Sequence, residues 1–117
     1  MVTHDDIRTI ALALPETNER ASYGGRPSFR TSKQMFAWIR DAPEALVVWV
    51  ESEDDKEAMI ASDPSRFFTT DHYHGHPILL VRLESIDVGE ATELITDSWR
   101  LRGPKKVVAA WDAEQSD

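Results

Sequence analysis

The feature that most constrains the fold of this chain is an unbroken apolar run near its middle. Residues 46–50 read Leu-Val-Val-Trp-Val, all of them aliphatic, β-branched or aromatic. Such a run favours a strand at the centre of a sheet, either covered on both faces or presenting an apolar outer face. With a length of 117 residues, the chain is expected to form a single domain over residues 1–112, with a frayed tail at 113–117.

Capping and turn signals divide the rest of the chain into short elements around this strand. Thr3, Ser52 and Asp87 each precede a helical pattern and carry a side-chain oxygen that caps a helix. The predicted helices are 3–14, 52–61, 87–101 and 105–112. The predicted strands are 28–31, 35–40, 45–51, 66–70 and 78–83, and residues 16–27 are predicted as a loop. In the longest helix, four apolar residues recur at helical spacing and should face inward: Val88, Ala91, Ile95 and Trp99.

This succession of elements predicts the fold class. The order is α-β3-α-β2-α with a short additional helix at the C-terminus, and the strands follow one another through short turns. We therefore expect a two-layer α/β (α+β) domain. It should contain a five-stranded antiparallel sheet with the helices packed largely on one face.

The positive charges are segregated along the chain. Five basic residues and no acid lie between Arg20 and Arg40, and four basic residues and no acid lie between Ser98 and Trp111. These two blocks hold nine of the thirteen Lys and Arg residues, although the formal net charge is -8. A segregated field attracts an anionic partner to one face even when the whole molecule is an anion.

Three groups of residues resemble the MmcQ/YjbR family. They are Ala13-Leu14-Pro15 with Ser22-Tyr23-Gly24 and Pro27-Ser28-Phe29-Arg30, then Asp63-Pro64 with Phe67-Phe68 and His72-Tyr73, and finally Trp99-Arg100-Leu101 with Pro104-Lys105-Lys106. The resemblance covers nearly the whole chain. It implies a YjbR-like, two-layer domain with an antiparallel sheet, in an element order similar to that of type III secretion chaperones. It also implies DNA binding, which is ascribed to this family through a double wing of β-hairpins, and it implies no catalytic residues.

The first functional hypothesis is a non-catalytic binding domain whose basic hairpin face meets nucleic acid or another anionic partner. Binding should be weak and dependent on salt, because it rests on neutralised phosphates. The predicted contact residues are Arg26, Arg30, Lys33, Arg40, Arg100, Arg102, Lys105 and Lys106, and the aromatic residues that could stack on bases are Tyr23, Phe36 and Trp38. The alternative interpretation is that these cations pair with the abundant acids or interact favourably with the negative ends of helix dipoles.

Other functions have weaker signals. A protein- or peptide-binding module, like the secretion chaperones, would bind through apolar sheet surface. A small metal-binding or enzymatic protein would use the turn His72 to His76, with His72 and His74 as the candidate metal ligands. On a strand, alternate histidines would share one face, but Gly75 and Pro77 indicate a turn, in which that alternation is lost. The sequence has no G-x-S-x-G, G-x-x-x-x-G-K or G-x-G-x-x-G pattern. We therefore predict no cofactor and no resident metal.

The expected location is the cytoplasm. The sequence has no cysteine, no apolar leader follows Met1, and no stretch approaches the length of a membrane span. We accordingly expect no membrane partner.

Overall fold

The computed structural model describes residues 1–22, 25–32, 34–41 and 43–115. The helices are α1 (His4–Leu12), α2 (Glu53–Ser62), α3 (Val88–Arg102) and α4 (Lys105–Gln115). The strands are β1 (Asn18–Ala21), β2 (Pro27–Arg30), β3 (Met35–Arg40), β4 (Ala45–Trp49), β5 (Phe67–Phe68) and β6 (Ile78–Arg82). Short 3-10 turns at Asp71–Tyr73 and Leu83–Ser85 flank β6.

The three predicted helix caps are confirmed. The hydroxyl of Thr3 accepts a hydrogen bond from the backbone of Asp6, whose carboxylate accepts one in return from the backbone of Thr3. Asp87 makes the same reciprocal arrangement with Glu90 at the start of α3. Ser52 caps α2. Each cap satisfies backbone N–H groups that the first helical turn leaves without partners, so each helix begins where the sequence places it.

The strands form one antiparallel sheet in the order β1-β2-β3-β4-β6-β5. The sequence predicts five strands, and the sixth is β1, which lies in the segment predicted as a loop. Asn18–Ala21 has no apolar alternation and is exposed throughout, so it carries no local strand signal. Backbone pairing with β2 holds it, helped by the guanidinium of Arg8, whose Nε lies 2.7 Å from Glu19 Oε1.

The main core lies between the sheet and the helices. Sheet residues such as Phe29, Leu46 and Val81 pack there against Ile7 of α1 and Trp99 of α3. The apolar side chains of α2 and α4 border the same cluster, so all four helices lie on this side of the sheet. The expected two-layer arrangement is confirmed.

Some of the predicted element ends and side-chain orientations differ from those observed. Val88, the first residue of α3, is 48% exposed rather than inward-facing. The last helix extends to Gln115, past the predicted end at Asp112. The predicted strand at 66–70 shortens to Phe67–Phe68, since only these two residues pair with β6.

A fully buried serine fastens α3 to the centre of the sheet. Ser98 Oγ donates a hydrogen bond to the carbonyl oxygen of Phe36 at 2.5 Å and accepts one from the backbone N–H of Trp49 at 2.9 Å. A buried hydroxyl with both roles satisfied fixes the position of its helix more narrowly than apolar contact does. It thereby fixes α3 over the end of β4, where Trp49 lies.

Candidate anion-binding surface

The sheet has a second face that no helix of the described residues covers, and we call it the helix-free face. Strand side chains alternate between faces, so the registers assign to it Asn18, Arg20, Ser28, Arg30, Trp38, Arg40, Ala45, Val47, Trp49, Phe68, Ile78, Leu80 and Arg82. These strand positions include four arginines and no Asp or Glu. They also include the second apolar cluster, which is built on Val47 and Leu80 and bordered by half-buried aromatic rings.

Two of the arginines share one row of the sheet. The register places Arg40 opposite Ala45, and Ala45 opposite Arg82. Neighbouring strands are about 4.8 Å apart, so the two arginine backbones lie roughly 10 Å from each other. The guanidinium of Arg82 lies 4.2 Å from the centroid of the Phe68 ring, which holds the cation flat against the sheet. Arg40 donates from Nε to the carbonyl oxygen of Asp41 at 3.2 Å.

Trp38 lies between these arginines and the other end of the face. Its indole N–H donates to the hydroxyl of Tyr73 at 3.3 Å, and the two rings are tilted with centroids 6.3 Å apart. Trp38 is half-buried, so part of its ring remains open to a ligand. Tyr73 comes from the 3-10 turn before β6, and sequence analysis did not assign it to the site.

Three of the predicted residues need comment. Phe36 is wrong as a stacking residue, because its side chain is fully buried in the main core. The cause is an irregularity in the β2–β3 register: Phe29 opposes Ala37 while Arg30 opposes Met35, so Phe36 is the extra residue. Such a bulge re-aims a side chain. Tyr23 and Lys33 lie outside the described residues.

Some of the predicted cations are already paired. Arg26 Nη1 lies 3.0 Å from Asp41 Oδ2. Arg100 lies between Asp97 and Asp112, at 2.8 and 3.0 Å. The hydrogen bond from Arg100 to Asp112 raises the pKa of Arg100, and burial lowers it. The charge of Asp112, together with the hydrogen bond and the charge of Asp97, adds to the upward shift. The pairing interpretation therefore holds for these two arginines.

The second basic block reaches the end of the sheet through Arg102. Its guanidinium lies 3.9 Å from the centroid of the Trp49 ring, and its backbone carbonyl accepts a hydrogen bond from Gln34 Nε2 at 3.0 Å. Gln34 belongs to the β2–β3 turn, so the hairpin of the first block contacts the segment that carries the second. Lys105 and Lys106 follow, exposed, at the start of α4.

Burial lowers the pKa of Arg102, with no opposing contribution from an acid. Within the described part of the chain, Arg102 makes no ion pair, and its Nε is buried without a hydrogen-bond partner. The cation is therefore held in place by an aromatic ring rather than by a carboxylate.

The acids concentrate on the helical side of the molecule. Nine of them belong to the first three helices: Asp5 and Asp6 of α1, Glu53, Asp54, Asp55 and Glu57 of α2, and Glu90, Glu93 and Asp97 of α3. Other acids lie in turns at the edge of the sheet, with Asp41 and Glu44 between β3 and β4 and Asp71 in the 3-10 turn before β6. The strand positions of the helix-free face itself carry arginines and no acid.

The two arginines that the site gains beyond the predicted contacts had a signal in the sequence. Arg82 alternates with Leu79 and Val81 of the last strand, so it had to face away from the core. Arg20 was recognised as part of the first basic block, but the segment around it was predicted as a loop. Only the strand pairing of β1 puts it on this face.

The described residues contain no group of three His, Cys, Asp or Glu side chains arranged to hold a metal ion. His72 and His74, the metal candidates, are both exposed, and the ring of His72 packs edge-on against Tyr73 with centroids 4.7 Å apart. The helices of the described chain also include none that is long and apolar enough to cross a bilayer.

The fold and this surface define a two-layer α/β domain with a six-stranded antiparallel sheet whose outer face carries arginines. The chain belongs to the YjbR family, whose model matches residues 12–101. The resemblance seen in the sequence is thus confirmed.

The chain is similar in sequence to mycobacterial proteins and in structure to a protein of known crystal structure. The chain is 34% identical to the uncharacterized protein Rv2570 of Mycobacterium tuberculosis and to the uncharacterized protein Mb2600 of Mycobacterium bovis. In each case the match covers 95% of this chain and 96% of the relative. The crystal structure of Deinococcus radiodurans protein DR2400, a DUF419 domain, matches with a TM-score of 0.73 at 23% identity, over 86% of this chain and 78% of that one. That structural match shows the shared fold.

Proposed function

We propose that this protein is a non-catalytic binding domain that takes a phosphate-bearing partner, with nucleic acid as the test case, on its helix-free face. The observation that supports this most is the charge pattern of that face: its strand positions carry four arginines and no acid, in a chain with a formal net charge of -8. Arginine forks bind phosphate oxygens in pairs, and half-buried aromatic rings between them offer stacking surface.

The mode of binding follows from the shape of the face. The arginines are distributed over four strands rather than collected in a pocket, which suits an extended backbone lying across the strands. Each neutralised phosphate of a single strand contributes about -0.7 to the slope of log K against log salt. With two to four contacts, binding is micromolar or weaker and is lost steeply as salt rises.

Fluorescence anisotropy with labelled single-stranded and duplex DNA at about 50 mM salt tests the proposal. Arg30→Gln and Arg82→Gln should each weaken binding and reduce the salt slope by roughly one contact. Arg66→Gln is the matched control, since it removes the same charge where Arg66 pairs with Asp63 and with Glu90 of α3, on the helical side. Absence of binding at micromolar protein, or equal loss in the control, contradicts the proposal.

A second candidate function, peptide binding, is favoured by one apolar cleft. The cleft lies between α2 and α3, has a volume of about 480 Å³, and is lined by residues that include Val50, Met59, Leu94 and Leu101, and it reaches Trp49 at the end of β4. It lies on the helical side and not on the sheet, where this function was predicted. Its charged lining residues are Glu51, Asp55, Asp97 and Arg100, and Arg100 pairs with Asp97, so the remaining acids favour a peptide with an apolar anchor and basic flanks.

Peptides selected from a random library test this candidate. Leu101→Glu should abolish their binding, whereas Leu12→Glu, at another leucine with 40% exposure against 44% for Leu101, should not. The anchor contribution should persist at high salt because apolar burial is not screened. Peptides that bind both variants equally would rule the cleft out.

A further inference from the structure

We infer that the cleft beside the α3–α4 junction binds a phosphomonoester dianion, such as the 5′-terminal phosphate of an oligonucleotide. This inference deepens the proposed function and rests on it, because it names the chemical group that the basic end of the same surface selects. It concerns a different set of contacts from the arginines that would follow a nucleic-acid backbone across the strands.

The cleft is large enough for a small anionic group, and all of its lining residues but one come from a continuous segment. It has a volume of about 540 Å³ and is lined by Gln34 and residues 100–106. That volume lies within the range of about 300–1,000 Å³ that small-ligand sites occupy. Four of the lining side chains are cationic: Arg100, Arg102, Lys105 and Lys106.

Arg102 is the residue that carries the inference. Its guanidinium is held against the Trp49 ring at 3.9 Å, and Trp49 is itself fixed through its backbone N–H by Ser98. The Arg102 N–H groups donate to no acceptor among the described residues, and its Nε is buried. Burying a charge without a partner costs free energy, and a bound anion would compensate the partly buried charge of Arg102. A fixed guanidinium that has no carboxylate partner is therefore well placed to bind an anion.

The start of α4 adds to the positive field. Pro104 immediately precedes the helix, and Lys105 and Lys106 are its first two residues. The N-terminus of this 11-residue helix carries partial positive charge that favours an anion. Lys105 and Lys106 make no ion pair with a described residue.

The acids near the cleft reduce only part of this charge. Asp97 and Asp112 both bind Arg100, so that arginine contributes little to a ligand. Lys106 also borders a neighbouring groove with Glu16 and Glu114. Arg102 and Lys105 therefore supply most of the uncompensated charge. A monoester, which carries about -1.5 to -2 at neutral pH, gains more from two cations and a helix terminus than a singly charged diester does.

The location of the cleft explains why the dianion would be terminal. Gln34 of the β2–β3 turn lines it and bonds to the carbonyl of Arg102. Arg30, on the helix-free face, pairs with Met35 next to that turn. A nucleic-acid strand that passes Arg30 and ends beside this turn would therefore bring its terminal phosphate to Arg102.

The test compares two DNA oligonucleotides of about ten nucleotides that have one sequence and differ only in a 5′-phosphate or a 5′-hydroxyl. Anisotropy should show the phosphorylated strand binding about tenfold more tightly. Arg102→Gln should reduce this ratio to about one, and so should Lys105→Gln, an exposed substitution that leaves the fold intact. Arg30→Gln should weaken both strands and keep the ratio. Inorganic phosphate should compete away only the advantage of the phosphorylated strand.

The outcomes separate this inference from the function on which it rests. Equal binding of the two strands, or an equal loss of affinity for both strands in Arg102→Gln, would contradict the phosphate cleft. Neither result would contradict nucleic-acid binding on the helix-free face. If neither strand binds, NMR with inorganic phosphate decides. Amide shifts confined to residues 102–106 and absent in Arg102→Gln would support a phosphate cleft without nucleic-acid binding. No shifts at all would overturn both.

Discussion

Replacing Ser98 by alanine tests the contact that joins the helical layer to the candidate site. Ser98 is fully buried, and its hydroxyl joins the carbonyl of Phe36 on β3 to the backbone N–H of Trp49 on β4. The substitution leaves the chain volume nearly unchanged. It removes one acceptor and one donor from buried backbone groups, so its effect reports on hydrogen bonding and not on packing.

The magnitude follows from those two groups. A buried polar group that loses its partner costs about 1–3 kcal/mol, so two such losses give roughly 2–6 kcal/mol, and relaxation of the surrounding backbone brings the expected cost to about 2–4 kcal/mol. Alanine recovers about 0.5 kcal/mol because it has a higher helix propensity than serine in the interior of α3. The expected net loss is therefore about 2–3 kcal/mol, out of the roughly 5–15 kcal/mol that stabilises a domain.

Urea unfolding followed by circular dichroism measures this loss. With a slope of about 1–3 kcal/mol per molar urea, the midpoint should fall by about 1–2 M. Ser62→Ala is the matched control: its hydroxyl also donates to a backbone carbonyl, that of Met59, but at an exposed position. We expect a change within about 0.5 kcal/mol there. If the two variants unfold at the same urea concentration, the contact between α3 and the sheet described above is wrong.

Two further substitutions test other parts of the structure. Gly103→Ala would place a Cβ 2.9 Å from the carbonyl oxygen of Trp99 and 3.1 Å from Val108 Cγ2, so thermal unfolding should show a loss of about 1–3 kcal/mol; an unchanged midpoint would mean that the α3–α4 junction is more open. Burial lowers the pKa of Lys56, whose ammonium donates to two carbonyl oxygens. At pH values between this lowered pKa and the ordinary pKa of lysine, the unfolded chain binds more protons than the folded protein. The stability of the wild type should therefore rise with pH over that range. Lys56→Met should lack this rise in urea titrations at pH 8 and 10, and parallel pH profiles for the two proteins would contradict the assignment.

The proposed surface gives the molecule two chemically different sides. On one side, Asp55 of α2 and Asp97 of α3 line the apolar cleft. On the other side, the strand positions of the helix-free face carry arginines and no acids. A nucleic-acid backbone on the strands and a basic peptide in the apolar cleft would therefore contact opposite sides of the sheet, whereas the phosphate cleft adjoins the apolar cleft and shares Arg100 and Leu101 with it. This separation is the reason that a strongly acidic chain remains compatible with a phosphate-bearing ligand.

The elements that could be predicted from the sequence are those with local signals. Thr3, Ser52 and Asp87 mark their helices because a cap involves residues only three positions apart. The run at 46–50 becomes part of the central strand β4, buried along most of its length. By contrast, β1 has no local strand signal, and Asn18–Ala21 becomes a strand only because β2 lies beside it.

Single residues show the same limit within the candidate site. Phe36 alternates correctly for an outward stacking residue, yet a one-residue irregularity against β2 turns it into the core. Arg26 and Arg100 belong to acid-free stretches of sequence, but Asp41 and Asp112 reach them in space. Sequence separation does not limit ion pairing, so which cations are neutralised could not be predicted.

The sequence by itself determined the order of the elements other than β1, the starts of the helices, the family, and the crowding of basic residues into two stretches. These follow from interactions between residues a few positions apart. Only the tertiary structure decided that the two stretches meet at the Gln34–Arg102 contact, that Arg82 joins the first of them, and that Arg102 stands against Trp49 without an acid. Those outcomes depend on strand register and on helix placement, which bring together groups that no local pattern relates.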